Sequence, residues 1–318
     1  MHTNRRRLLT GLALFPFAVA PLLGAGNGPA EPLVVTEMND VMDGKTPAPP
    51  AFPKLAPKPG RLRGYVKDAA GRPLEGAKIL VTTSAVGGLG SGVTAESDAK
   101  GYYEAPLPVG ISQVWCAGYG VTYHGVRLAL ALRPADGKLG HFEAKKGAVE
   151  NFYLAPYGIA NEASVSENPV YAGGYYGASF TVGYWVADPD RPGITGGVPE
   201  GSTIEITLTP QGPLVDGSKG QTLVLRKKLE PYKSYFQVND VPVGRYTIAA
   251  RLITDGGSEP LRLKDNSGRP GKGGMTPKET EDSATIIFRS EGADHGILRV
   301  TGGSMERLSM LVERIEKK

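Results

Sequence analysis

A chain of 318 residues with 40% hydrophobic content has room for two cores, which excludes a single small domain. Charged residues make up 21% and nearly balance, and the net charge of +4 draws partly on arginines at the extreme N-terminus, which excludes the strong field of a nucleic-acid binder. The 44 glycines and 26 prolines punctuate regular apolar runs, as in a turn-rich all-β protein, so long helices and wholesale disorder are not expected.

Residues 1–30 read as a signal peptide: a basic start, an apolar stretch from Leu8 to Ala25 broken by Pro16 and Pro21, then small residues. The prolines fit a membrane-spanning helix badly, since that needs about 20 consecutive apolar residues, so no transmembrane helix is expected after cleavage. Cleavage is expected after Ala30, with Ala25 as the alternative. Asn4-Arg5-Arg6-Arg7-Leu8-Leu9 resembles a twin-arginine export signal with Asn4 and Leu8 at variant positions, and an ordinary secretory signal is the other reading. Either places the chain in the periplasm or outside the cell. Residues 31–60 follow as a Pro-rich linker, extended by its proline spacing.

From Arg61 the chain turns to short apolar runs between turn residues. Strands are expected at Leu62–Lys67, Lys78–Thr83, Val93–Ser97, Tyr102–Ala105, Gln113–Ala117, Val126–Leu132 and Ala148–Leu154, enough for one sandwich over residues 61–157. A Gly-rich linker at 158–177 precedes a second set over 178–318: Ser179–Val186, Thr203–Thr209, Thr222–Lys228, Tyr235–Val238, Arg245–Thr254, Ala284–Arg289 and Gly296–Val300. Asp255 to Asp282 reads as a long loop. Met305–Ile315 suits a helical face or an alternating strand, and the hairpin signal Gly302-Gly303 before it favours a closing strand.

Two motifs give the first half its character. In Gly64-Tyr-Val66-Lys-Asp68-Ala-Ala-Gly71-Arg-Pro73-Leu74-Glu-Gly76-Ala77, a turn at Asp68–Gly71 joins two strands, and Ser97-Asp98-Ala-Lys-Gly101-Tyr102-Tyr103 makes a second turn into a strand. Together they resemble the carboxypeptidase regulatory-like domain, a prealbumin-like sandwich, over about Arg61 to Tyr157. The resemblance implies an accessory module without catalytic residues, and there is no His-x-x-Glu zinc pair of the associated peptidases. The second half echoes it: Ser234-Tyr235-Phe236-Gln-Val238-Asn-Asp240-Val241-Pro242-Val243-Gly244 aligns with Gly101-Tyr102-Tyr103-Glu-Ala105-Pro-Leu107-Pro108-Val109-Gly110 with one residue inserted. The fold expected is therefore all-β, two tandem prealbumin-like or immunoglobulin-like sandwiches.

Chemistry is sparse. Gly87-Gly88-Leu-Gly90-Ser-Gly92 follows a strand but no helix signal comes after it, so it reads as a hairpin tip rather than a phosphate loop. His124 and His141, with Glu143 and Asp136, form no metal spacing, and Asp188 and Asp190 read as a solvated turn; no metal or cofactor is expected. Cys116 reads as a buried thiol. What remains is aromatic. Strand alternation turns Trp115 and Trp185 away from the cores, and Trp185 with Tyr175 and Tyr176 in the Gly-rich segment forms a candidate platform for a sugar or protein, unless linker, loop or neighbouring domain covers the rings. The functional expectation is a non-catalytic binding or scaffold protein of the cell envelope with a protein or glycan partner. A carboxylate-dependent glycan-active enzyme and a purely structural spacer are the alternatives.

Overall fold

The computed structural model describes residues 31–84, 90–187, 197–230, 233–267, 275–276, 282–290, 298–300, 302–303 and 305–315. The strands are β1 (Leu33–Val35), β2 (Arg61–Asp68), β3 (Lys78–Ser84), β4 (Gly90–Glu96), β5 (Tyr102–Pro106), β6 (Ile111–Tyr123), β7 (Val126–Ala131), β8 (Arg133–Pro134), β9 (Phe142–Glu143), β10 (Ala148–Val149) and β11 (Phe152–Leu154). After the short helix α1 (Glu162–Glu167) come β12 (Ala178–Gly183), β13 (Thr203–Pro210), β14 (Leu223–Lys228), β15 (Tyr235–Val241), β16 (Arg245–Thr254), β17 (Gly257–Asp265), β18 (Met275–Thr276), β19 (Ser283–Ile287) and β20 (Leu308–Arg314). Period-two alternation explains most of them: in β13, Ile204, Ile206 and Leu208 are fully buried while Thr203, Glu205 and Thr207 face away. Each such side chain contributes about 1.5–3 kcal/mol by leaving water.

The first half builds two five-stranded sheets. In one, β5 lies on one side of β2, and β10 and β11 lie in parallel on the other, with β8 beyond β11. The gap between β10 and β11 brings the Glu150 carbonyl so near β2 that a Cβ on Gly64 would sit 1.7 Å from its oxygen, which is why glycine opens the first motif. In the other, the order is β4-β3-β6-β7, and β9 also joins β6. The turn at Asp68 closes through Gly71 N to Asp68 O (3.0 Å), and the turn at Asp98 through Gly101 N to Asp98 O (2.8 Å).

The second half forms one ten-stranded sheet along the path β1-β14-β13-β16-β17-β20-β12-β15, with β19 and β18 beside it. Its fork is β16: Arg245–Ala249 pair with β19, whereas Ala250–Thr254 pair with β17. The expected loop over Asp255–Asp282 thus contains the nine-residue strand β17. Polar residues and Pro260 hide it, yet Leu261 and Leu263 are fully buried, and Pro260 falls where β20 has not yet begun to pair. The terminal segment is a strand, burying Leu308, Met310 and Val312.

Residues 31–60, expected as an extended Pro-rich linker, strap the molecule together. β1 pairs in parallel with β14, and two residues beyond Thr36 the arm reaches the opposite end of the sheet path, where Asn239 N donates to Met38 O (2.9 Å) and Val41 N to Asn239 O (3.2 Å). The proline stretch then lies on the first half: Tyr153 Oη donates to Pro47 O (2.8 Å) and Lys67 Nζ to Ala51 O (2.7 Å). Tyr123 Oη donates to Pro213 O (2.7 Å) and accepts from Arg245 N (3.1 Å), and Ala117 N donates to Leu298 O (3.0 Å). Residues Glu31–Lys318 pack as one unit, and the buried side chains of both halves join in one connected core.

Candidate functional site

The aligned segments behave alike. β5 and β6 do not pair with each other but with β2 and β3 respectively, and β15 and β16 likewise pair with β12 and β13. Each unit thus carries the chain from one strand array to another. Tyr103, Ala105, Val114 and Cys116 are buried, and so are their counterparts Phe236, Val238, Ile248 and Ala250. Alternation then places Tyr102 and Tyr235 on outer faces. Opposite Tyr102 stands Tyr65, with ring centroids 5.5 Å apart and edge-on, and Tyr102 Oη donates to Glu104 Oε2 (2.6 Å). Opposite Tyr235 stands Gly183. With no ring across from it, Tyr235 is 61% exposed.

Trp185 continues the same outer face two residues beyond Gly183, since Phe180, Val182 and Tyr184 point inward with 0–2% exposure, and the indole is 53% exposed. Two large aromatic side chains are therefore exposed on this face, Tyr235 across from Gly183 and Trp185 two residues beyond it. The sequence reading put Trp185 on an outer face but missed Tyr235. The signal was Phe236 and Val238 facing inward, and the missing information was that the cross-strand partner is glycine.

Tyr175 and Tyr176, the other members of the expected platform, are corrected: they are 1% and 6% exposed. The Gly-rich segment folds back, with Tyr176 N donating to Gly158 O (2.8 Å). Tyr176 Oη donates to Val300 O (2.7 Å) beneath the Arg133 guanidinium, and Tyr175 Oη to Pro169 O (3.1 Å). Burial, with Asp40 next, pushes the Tyr175 hydroxyl up to about 12. They are structural side chains. Trp115 does face outward, 43% exposed, but the Arg299 guanidinium lies 5.0 Å from its ring. Beneath it Cys116 is buried, and burial raises its thiol pKa against the opposing pull of Arg299.

Two carboxyl arrangements matter. The residue inserted in the second unit appears as a shift in the β12–β15 register between Ala178 and Phe180, and Asp240 there takes φ 59°. Its fully buried carboxyl accepts from Gly158 N (2.7 Å) and Gly177 N (3.2 Å) through Oδ1, while Oδ2 has no hydrogen bond among the described residues. Burial, with Asp40 as the facing charge, holds its pKa well above the usual carboxylate range. Glu150, in the gap between β10 and β11, is raised to about 7 by burial and then by Asp136. Neither of the latter pair lines the nearby cleft of Arg133, Gly137, Ile159, Asn161 and Tyr176.

Among the described residues no three His, Cys, Asp or Glu come together to hold a metal. His124 packs edge-on against Tyr123 at 4.6 Å, and Glu143 pairs with Lys146 (2.7 Å), which keeps its carboxyl below the usual range. Asp188, Asp190, the tip of the β3–β4 hairpin and residues 1–30 lie outside the described residues. No helix among the described residues is long and apolar enough to cross a membrane.

No family model matches the chain, and no curated protein matches it. Among solved structures, the TIE protein of Bacillus anthracis aligns with 80% of this chain at 13% identity and a TM-score of 0.31, and this chain spans about a third (34%) of that protein. A putative cell adhesion protein from Bacteroides ovatus aligns over 83% of this chain and 100% of its own at 8% identity and a TM-score of 0.22. The C-terminal fragment of the pilus adhesin SpaC from Lactobacillus rhamnosus GG aligns over 82% of this chain and 99% of its own, at 11% identity and a TM-score of 0.20.

Proposed function

We propose that the chain is an exported, non-catalytic binding or scaffold protein of the cell envelope, periplasmic or secreted, and that its binding surface is the outer face at Gly183, Trp185 and Tyr235. The observation that carries the reading is the pair of exposed rings, Tyr235 across from Gly183 and Trp185 two residues beyond it. An aromatic ring exposed to water gains by covering an apolar surface, whether a sugar face or a protein side chain. In the same proposal, residues 1–30 direct export, residues 61–157 are a module of the carboxypeptidase regulatory-like kind, and residues 178–318 a second one joined through 158–177.

The test is capture from envelope extract and a glycan array with the native chain, Trp185→Ala and Tyr235→Ala. Each variant is expected to weaken binding about tenfold, or about 1.4 kcal/mol, and to unfold within about 0.5 kcal/mol of the native chain, as exposed substitutions do. Loss of stability with unchanged binding would overturn the surface. Export is tested separately by replacing Arg5 and Arg6 with Lys: cytoplasmic retention supports the twin-arginine route, and unchanged export removes it.

A further inference from the structure

The outer edge of β15 is only half covered. Asn239 exchanges two hydrogen bonds with the arm, through Met38 O and Val41 N, so the odd-numbered residues of β15 direct their backbone groups outward. On the inner side the same parity holds, because Tyr184 N bonds Ser234 O and β12 pairs with Phe236 and Val238. Tyr235 and Gln237 therefore turn their N–H and C=O groups to the outer edge, where no backbone partner occurs among the described residues.

The arm explains the gap. Just before Met38 it swings away toward β14, where β1 is paired, and leaves a cleft of about 390 Å³ between Thr36–Asn39 and Tyr235–Gln237. Tyr184 and Phe236 form its buried apolar floor, and Val170 stands half exposed on its rim. The Val170 carbonyl is held by Gln237 Nε2 (2.6 Å).

We propose that this uncovered half of β15, Tyr235 to Gln237, takes an extended polypeptide segment of a partner as an added strand, seated between the arm and Val170. Outward N–H and C=O groups at alternate residues are the complement of another strand's backbone and serve a sugar poorly. The edge is continuous with one already in use, since the arm makes the same kind of bonds to Asn239. Alternate side chains of the added strand would face the Tyr184–Phe236 floor, so apolar residues at every second position are selected. The proposal goes beyond the binding reading: it names a polypeptide partner and uses backbone groups where that reading uses the Trp185 and Tyr235 rings.

The experiment is selection of random heptapeptides against the full chain, with counter-selection on Gln237→Pro, which removes one edge N–H. The expected result is enrichment of peptides with alternating apolar residues whose affinity falls at least tenfold on Gln237→Pro. If Gln237→Pro fails to fold, N-methylation of alternate peptide amides decides on the native chain, and a tenfold loss is again expected. No enrichment, or enriched peptides indifferent to N-methylation, overturns the added strand. Glycans that still bind through Trp185 in that event would leave the binding reading standing.

Discussion

Tyr102 and Tyr235 hold the same place in two copies of a strand–turn–strand unit, and their surroundings separate them. Across from Tyr102 is Tyr65, and the two rings shield each other with Glu104 accepting the hydroxyl's hydrogen bond; across from Tyr235 is Gly183, and the ring stands in water. A second difference lies a few residues on, where the extra residue of the second unit produces a bulge and drives the Asp240 carboxyl inward to two backbone amides. The interior half of the unit is kept while its outer face and turn are altered.

The largest expected effects test whether the two copies share a core. Tyr103→Ala and Phe236→Ala should each cost about 3–5 kcal/mol, as large aromatic deletions in cores do, measured by urea unfolding. A cost under about 1 kcal/mol for Phe236→Ala would break the equivalence. Next comes pH. Because the folded chain holds the Asp240 proton more tightly than the unfolded chain, its contribution is fully present below the unfolded pKa near 4 and is lost as pH rises toward the folded value. The native chain should lose stability relative to Asp240→Asn at up to about 1.4 kcal/mol per pH unit just above pH 4. A flat difference between the two would refute the buried proton, and the first unit has no counterpart.

Gly183→Tyr rebuilds in the second copy the ring pair of the first. A Cβ there would come 3.4 Å from Leu311 Cδ1, a distance small shifts absorb. Stability is expected to stay within about 1 kcal/mol, since an aromatic pair offsets the crowding, while partner binding at Trp185 and Tyr235 falls severalfold. Unchanged binding would mean that the glycine across from Tyr235 is incidental. The smallest effect is optical: acrylamide should quench Trp185 (in Trp115→Phe) more strongly than Trp115 (in Trp185→Phe), because Arg299 shields the latter. Equal quenching would remove the distinction between the two faces.

Strand alternation made most of the fold legible, since Ile204, Ile206 and Leu208 announce a buried face without knowledge of their partners. It failed for β17, where only Leu261 and Leu263 carry the signal, and for β1, whose three residues form a strand because β14 is there to pair with. The site was half legible for the same reason. Outward-facing Trp185 follows from its own strand, but the exposure of Tyr235 depends on Gly183, 52 positions away in this sequence and adjacent only through the β12–β15 register. Tyr175 and Tyr176 misled because a Gly-rich, polar stretch suggested water, whereas glycines also let backbone pack closely enough to close over rings.

The arm has a consequence for how the molecule reaches its native state. Glu31 and Gln221, joined by a hydrogen bond beside β1, are 190 residues apart, so β1 cannot pair until a segment far along the chain has been made. Closing so long a loop costs little more entropy than closing one half as long, about 0.6 kcal/mol, but pairings this remote make for slow folding. Until the arm docks, β14 and β15 expose their edges at once, and these are the surfaces through which chains join one another. Shortening the arm should therefore show first as aggregation during refolding, at rates set by concentration, before any loss is seen in the finished fold.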